Sequence, residues 1–319
     1  MVLLAVILFC LLGGAGYYAY TTSNNDKDTI VELTPKFIKA IQQYDELGIF
    51  CEGKARAMKD GKFGFINIKG EEIVPCIYDN AGEFSEGLAA VRKKDKCGFI
   101  NIKGEETVLC IYDDVWSISK GLAIVWKNDK CGFINTKGEE IIPFIYDWAG
   151  PFSEGLAEVR KNGKYGFINT KGEEIIPFIY DDAGAFSEGL AEVRKNGKYG
   201  FINTKGEEII PFIYDDAGDF SEGLAKIKKN DKYGFINIKG KEVVPCIYDW
   251  TGWVSEGLAV IQENDKYGFI NTKGEEVIPC IYDWAEPFSE GLAKVMLGEK
   301  CGYVDKKGKD TFKGAKKQM

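Results

Sequence analysis

KNGKYGFINTKGEEIIPFIYDDAGAFSEGLAEVR fills residues 161–194, and residues 195–228 repeat it with four of its thirty-four positions changed. The register extends both ways. Glycines before phenylalanine fall at 64, 98, 132, 166, 200, 234 and 268, and the tyrosines of Ile-Tyr-Asp at 78, 112, 146, 180, 214, 248 and 282. Every interval is 34 residues, without insertion. A worn first copy around Tyr44 and Gly53 and a last one ending near Gly308 set the array at residues 44–310.

A period of 34 also belongs to helical tetratricopeptide pairs, so the residues must decide. Asn162-Gly163 stands between two β-rich runs, and Asn-Gly tolerates the positive φ angles of a type I′ hairpin turn. EEIIPFIY follows Thr-Lys-Gly and is rich in β-branched and aromatic side chains. Pro177 and its counterparts remove a ladder donor and place that position at an edge or bulge. The class is all-β, with about three short strands per copy. A propeller blade usually spends four strands and about 40–45 residues. The spacing therefore favours tandem hairpin repeats in an open, elongated, solenoid-like array, with a β-propeller as the alternative. End caps are expected to differ from the middle. Residues 26–43 read as an N-terminal cap or linker, with Thr34 as N-cap, Pro35 opening a short helix, and Phe37, Ile38 and Ile41 on one face. Residues 311–319 form a basic tail.

The unit FSEGLAEVRKNGKYGFINTKGEEIIPFIYDDAG resembles the WG repeat, also called the KWG repeat, over most of the chain. The tryptophan of that family's Trp-Gly pair is Phe63, Tyr165, Tyr199, Tyr233 or Tyr267 here, and Cys97, Cys131 or Cys301 in other copies. The resemblance implies a β repeat of the kind common in bacteria, in arrays of varying number, with no generally established activity. Varying number suits an open array. A fainter similarity to choline-type cell-wall-binding repeats brings glycan binding in by analogy.

Of 319 residues, 45% are hydrophobic, enough for a packed core. The net charge of −8 comes from interspersed charges without a basic stripe, which argues against a nucleic-acid partner. The chain has no histidine, which excludes the commonest nucleophile and metal arrangements. No cofactor or metal site is expected, and no catalytic residue stands out. The chain is not read as an enzyme. Residues 2–20 carry no charge and would span about 30 Å of hydrocarbon as a helix, with Tyr17, Tyr18 and Tyr20 at an interface. Residues 1–25 are therefore a transmembrane anchor or signal segment, and the protein is expected to be membrane-anchored or exported, in the cell envelope. The first basic residues, Lys27, Lys36 and Lys39, follow the apolar run and leave its topology open.

One window changes while the frame stays fixed. Between Ile-Tyr-Asp and Ser-Glu-Gly stand Trp116, Trp148, Trp250, Trp253 and Trp284, five of the six tryptophans. Tryptophan is enriched in binding hot spots, so this loop is the candidate binding surface; the plainer alternative is packing between copies. Seven cysteines occupy two columns 21 residues apart. If those columns touch, an oxidising compartment permits Cys76–Cys97, Cys110–Cys131 and Cys280–Cys301 disulfides. The aspartates at 79, 113, 147, 181, 215, 249 and 283 read as turn formers rather than calcium ligands. The expected role is a membrane-associated protein-binding or scaffold module; the alternative is a binder of cell-envelope glycan.

Overall fold

The computed structural model describes residues 35–312. The apolar helix expected in residues 1–25, Thr34 and residues 313–319 lie outside them. Among the described residues no helix is long and apolar enough to cross a membrane. The chain divides at Ala149/Gly150 into two compact units.

The first unit opens with α1 (Pro35–Ile41) and continues as three antiparallel meanders of four strands each. They are β1–β4 (Glu46–Cys51, Lys54–Lys59, Lys62–Asn67, Glu72–Tyr78), β5–β8 (Asn80–Ser85, Leu88–Lys93, Lys96–Asn101, Glu106–Tyr112) and β9–β12 (Asp114–Ser119, Leu122–Lys127, Lys130–Asn135, Glu140–Tyr146). The second unit keeps the 34-residue plan. It begins with the strands Leu156–Lys161, Lys164–Asn169 and Glu174–Tyr180, four-stranded sheets follow from Asp182, Asp216 and Trp250, and a final three-stranded one starts at Trp284.

Four strands per sheet correct the expected three. The additional strand is the window read as a loop. β5 is NAGEFS, poor in β-branched residues, yet it pairs Asn80 with Arg92, Ala81 with Val91 and Phe84 with Ala89 across an irregularity. Its hairpin turns at Glu86-Gly87, where φ is 51° and 78°. Both residues are left-handed, as in the expected Asn162-Gly163 turn (52° and 78°). Glutamate does not announce such a turn. It is held by its side chain: the Glu86 carboxylate accepts from the N–H groups of Lys120 and Gly121 in the next copy's turn (2.8 Å each). Glu154, Glu188, Glu222 and Glu256 repeat the rung.

The other fixed words have similar duties. Asp79 pairs with Lys62 of its own copy, and its second oxygen accepts from the Lys94 N–H of the following hairpin (2.7 Å). Asn101 accepts from the N–H groups of Lys103 and Glu105 and donates to the Glu105 carboxylate (2.7 Å), which shapes the Lys-Gly-Glu turn. Gly64, in the Gly-Phe pair, lies under β4: a Cβ there would stand 2.7 Å from the Cys76 nitrogen. The phenylalanine beside it enters the core between successive sheets. Phe65 meets Phe84 at 4.8 Å, and Phe167 meets Phe186 at 4.9 Å. Around Phe65 pack Val74, Tyr78, Ala89 and Ile100.

Both ends of the array depart from the repeat. α1 lays Ala40 and Phe37 over Gly70, where Gly104 in the next copy meets Val74 of a preceding sheet. Phe37 is buried with Tyr44, and Ile41 packs beside them, but Ile38 is 40% exposed. The buried helix face is thus Phe37, Ala40 and Ile41. At the other end Thr311 and Phe312 cover Gly302, where a fourth strand would lie. The outer strand carries an exposed proline in most copies, as Pro75, Pro177 and Pro211 do, with exposed Ile77, Ile179 and Ile213 nearby.

Candidate functional site

One variable position of the window opens a cross-strand row in each of five sheets. The window residue pairs with the second strand, which pairs with the family's aromatic position on the third. The rows read Asn80–Arg92–Cys97, Asp114–Trp126–Cys131, Asp182–Arg194–Tyr199, Asp216–Lys228–Tyr233 and Trp250–Gln262–Tyr267. Each row builds its own contact. Arg92 pairs with Asp114 (3.1 Å), Trp116 lies 4.8 Å from Trp126, the Tyr199 hydroxyl donates to Asp182 (2.9 Å), and Trp250 meets Tyr267 edge-on at 6.1 Å. Where the ring is kept, as in Tyr199 and Tyr267, it serves as a base for what its row carries.

The tryptophans lie on first strands rather than on a loop. Trp116 (42% exposed), Trp250 (39%), Trp253 (54%) and Trp284 (37%) reach solvent, and Trp148 is half-buried. Lys226 stands over the Trp253 ring at 4.8 Å, a cation–π contact. Partial packing and an exposed face therefore coexist on the same side chains.

Every cysteine that the structure describes is a free thiol. Cys76–Cys97, Cys110–Cys131 and Cys280–Cys301 are not bridged; the outer-strand cysteine near Cys97 is Cys110 of its own sheet rather than Cys76. Cys76, Cys110 and Cys280 pack beside the preceding copy's Tyr44, Tyr78 and Tyr248. Phenylalanine in that column does the same, with Phe212 stacked on Tyr180 at 6.3 Å. The Cys97 sulfur instead lies against the Asp113 carbonyl (3.9 Å). Burial pushes Cys110 and Cys280 up to about 11 and Cys131 up to about 12, so these groups are thiols at neutral pH.

Sequence reading missed a carboxylate pair two residues before the row's second-strand residue. Glu158 is 5% exposed, and burial raises it to about 7. Glu192 rises to about 9, through burial first and then Asp219 beside it. One oxygen of each glutamate has no hydrogen-bond partner. The repeated aspartates behave oppositely: Lys62 and then the Lys94 N–H hold Asp79 below the usual carboxylate range. Among the described residues no group of three or more Cys, Asp or Glu is arranged to hold a metal ion.

The family model described as "WG containing repeat" matches eight successive segments, 36–63, 63–97, 98–131, 132–165, 165–199, 199–233, 233–267 and 267–301. No curated protein is similar enough in sequence to count as a match. Among solved structures, the fold is similar to a crystal structure of the eukaryotic initiation factor, with TM-score 0.51 and 9% identity over 82% of this chain and 84% of that one. Lower likeness extends to Kluyveromyces lactis Hsv2p (TM-score 0.39, 10% identity, 68% and 89% coverage). It also extends to the dihydro-heme d1 dehydrogenase NirN in complex with DHE (0.41, 10%, 79% and 70%). At these identities the likeness concerns fold alone.

Proposed function

Because the chain belongs to the WG-containing repeat family, we propose that it is a binding protein rather than an enzyme, a membrane-associated scaffold that presents one variable row to a protein partner. The observation that carries this reading is the division of labour within each copy. Fixed residues are used in turns, rungs and core, and substitution collects where Trp116, Trp250, Trp253 and Trp284 are exposed. A stable frame with a changing aromatic face is the logic of repeat proteins that bind. The uneven spacing of these indoles, with Trp250 and Trp253 on one strand and Lys226 beside them, favours a protein over a regular sugar polymer. The uncharged segment 2–20 supports a membrane or envelope location. The caps supplied by α1 and Phe312 support an open array over a closed ring, since each covers a face that a ring would close with another sheet.

The test is retention of partners by the full-length chain, from a membrane-protein extract and on purified cell-wall glycan. A Trp250→Ala, Trp253→Ala, Trp284→Ala variant with unchanged circular dichroism runs beside it. Loss of an identified protein by the variant is the expected result. Equal retention by both chains would sink the reading, and indole-dependent retention on glycan alone would transfer it to the carbohydrate class.

A further inference from the structure

Interior sheets bury one face against the sheet that follows, and among the described residues no sheet follows the last one. Leu258 and Phe269 show the rule, packed with Phe288, Ala293, Val295 and Val304 of the next copy. Leu258 is 7% exposed there and Phe269 0%. In the same two columns of the last sheet, Leu292 is 47% exposed and Tyr303 49%. Met296 is exposed between Trp284 and Cys301, its partners across the sheet, and both of those reach solvent as well. A capping repeat ordinarily turns a polar face outward. This sheet instead keeps the apolar residues of a stacking face, a patch of the kind that marks an interaction surface.

The polar groups that join one copy to the next are repeated on it. The Ser255 hydroxyl donates to the Phe288 carbonyl (2.8 Å), and the Glu256 carboxylate accepts from the Gly291 N–H (3.0 Å). Ser289 and Glu290 hold the same two places on the last sheet, where the described residues offer no following turn. Lys294 lies two residues beyond Leu292 and therefore on the same face. A covering element must present apolar side chains and charges of both signs. The first sheet of another copy does not qualify, because its Ala55, Ala57 and Ile66 are already buried with Phe37 of α1. That blocks head-to-tail growth and leaves the last face of a second copy. This face is self-complementary. A two-fold axis through Leu292, perpendicular to its strand, sets Leu292 on its mate and each Glu290 opposite the other copy's Lys294. Three paired strands offer roughly 20 Å by 14 Å, a small interface that suits micromolar association.

We propose that two copies of this chain pair through the face of Leu292, Met296 and Tyr303, antiparallel about Leu292, with Glu290 and Lys294 exchanged as ion pairs. The contact uses the same face of both copies, so it closes at a dimer. Trp250 and Trp253 lie on the preceding sheet, and the partner proposed for them is a separate matter. Other copies show which charge changes the frame accepts. Lysine stands in the Glu290 column at Lys120, and glutamate in the Lys294 column at Glu158 and Glu192.

Sedimentation equilibrium of the full-length chain in density-matched detergent reads the association. The wild type is expected to dimerise with a dissociation constant of about 1–100 µM. Leu292→Glu should weaken the dimer about tenfold or more. Tyr303→Glu should do the same and stands in if the first variant loses its circular dichroism. Ile213→Glu, exposed on an outer strand, should leave it unchanged. Glu290→Lys and Lys294→Glu each set like charges opposite one another and should weaken it about fivefold. Both changes in one chain restore the pairs and should return it to within about twofold of wild type. A wild type that stays monomeric to about 500 µM overturns the proposal and leaves the face to residues 313–319 or to a different protein. A dimer that survives Leu292→Glu and Tyr303→Glu in folded chains overturns it too, because association then comes from elsewhere, such as residues 2–20. Failure of the double charge variant to recover overturns the antiparallel pairing.

Discussion

Glu192 is one of four differences between two adjacent copies, and its setting shows how much one substitution changes. Its carboxyl lies over Gly184 beside Asp219, with one oxygen unpartnered, and burial raises it to about 9. The fold therefore holds a neutral acid where the unfolded chain carries an ionised one. Stability from this site is complete below the ordinary carboxylate range and is lost as pH rises towards about 9, with Glu158 adding to the loss up to about 7. Glu192→Gln keeps a donor towards Asp219 and removes the titration. In chemical denaturation it should match wild type at pH 4 and exceed it by roughly 2–4 kcal/mol at pH 8. Parallel pH curves for the two proteins would refute this account. Asp79 and its counterparts set the acid limb: Lys62 and the Lys94 N–H hold Asp79 low, so that contribution falls away as pH drops through its lowered value. Neither behaviour was legible from residue type, because a glutamate in a β-hairpin ordinarily faces water. The repeated aspartate was legible as a turn former; its clasp on two hairpins needed the third dimension.

At the scale of the strand, the Gly-Phe pair is the tightest point of each sheet. The outer strand crosses so close to Gly166 that a Cβ would meet the Ile176 carbonyl oxygen at 2.7 Å and the Phe178 nitrogen at 3.0 Å. Both are backbone atoms, which yield less readily than side chains. Gly166→Ala should cost about 2–3 kcal/mol by overpacking, read as a lowered denaturant midpoint. A change below about 0.5 kcal/mol would mean that the strand can move aside. The hairpin at Asn162-Gly163 could be read in advance because its residues favour positive φ. The hairpin at Glu86-Gly87 could not, because its glutamate is held by backbone N–H groups 34 and 35 residues away. That missed turn is why four strands were counted as three. It also hid the binding candidate, since Trp250 and Trp284, read as loop residues, are paired with Gln262 and Met296, and Trp116 and Trp253 stand at the irregularities of their strands. Ile38 failed for a related reason: a seven-residue helix offers a narrow buried face, and Ala40 at the contact needs no bulk.

For the whole molecule, the unbroken register made the all-β repeat readable, because each copy must present the same rungs to the next. The open array proposed here predicts that removing residues 182–215, one copy, joins Asp181 to Asp216 with every rung restored. That shortened protein should unfold cooperatively with unchanged far-ultraviolet dichroism. A protein closed as a ring should lose its fold. The outer strands carry a further consequence. Pro75, Pro143, Pro177, Pro211, Pro245 and Pro279 each withhold an N–H from an exposed sheet edge, so another chain cannot add a strand there in register. In the same column Leu109 stands alone without that protection, and it is 62% exposed. Among the described fourth strands, the run from Thr107 to Tyr112 is the one without a proline, and edge-to-edge aggregation is expected to start from it.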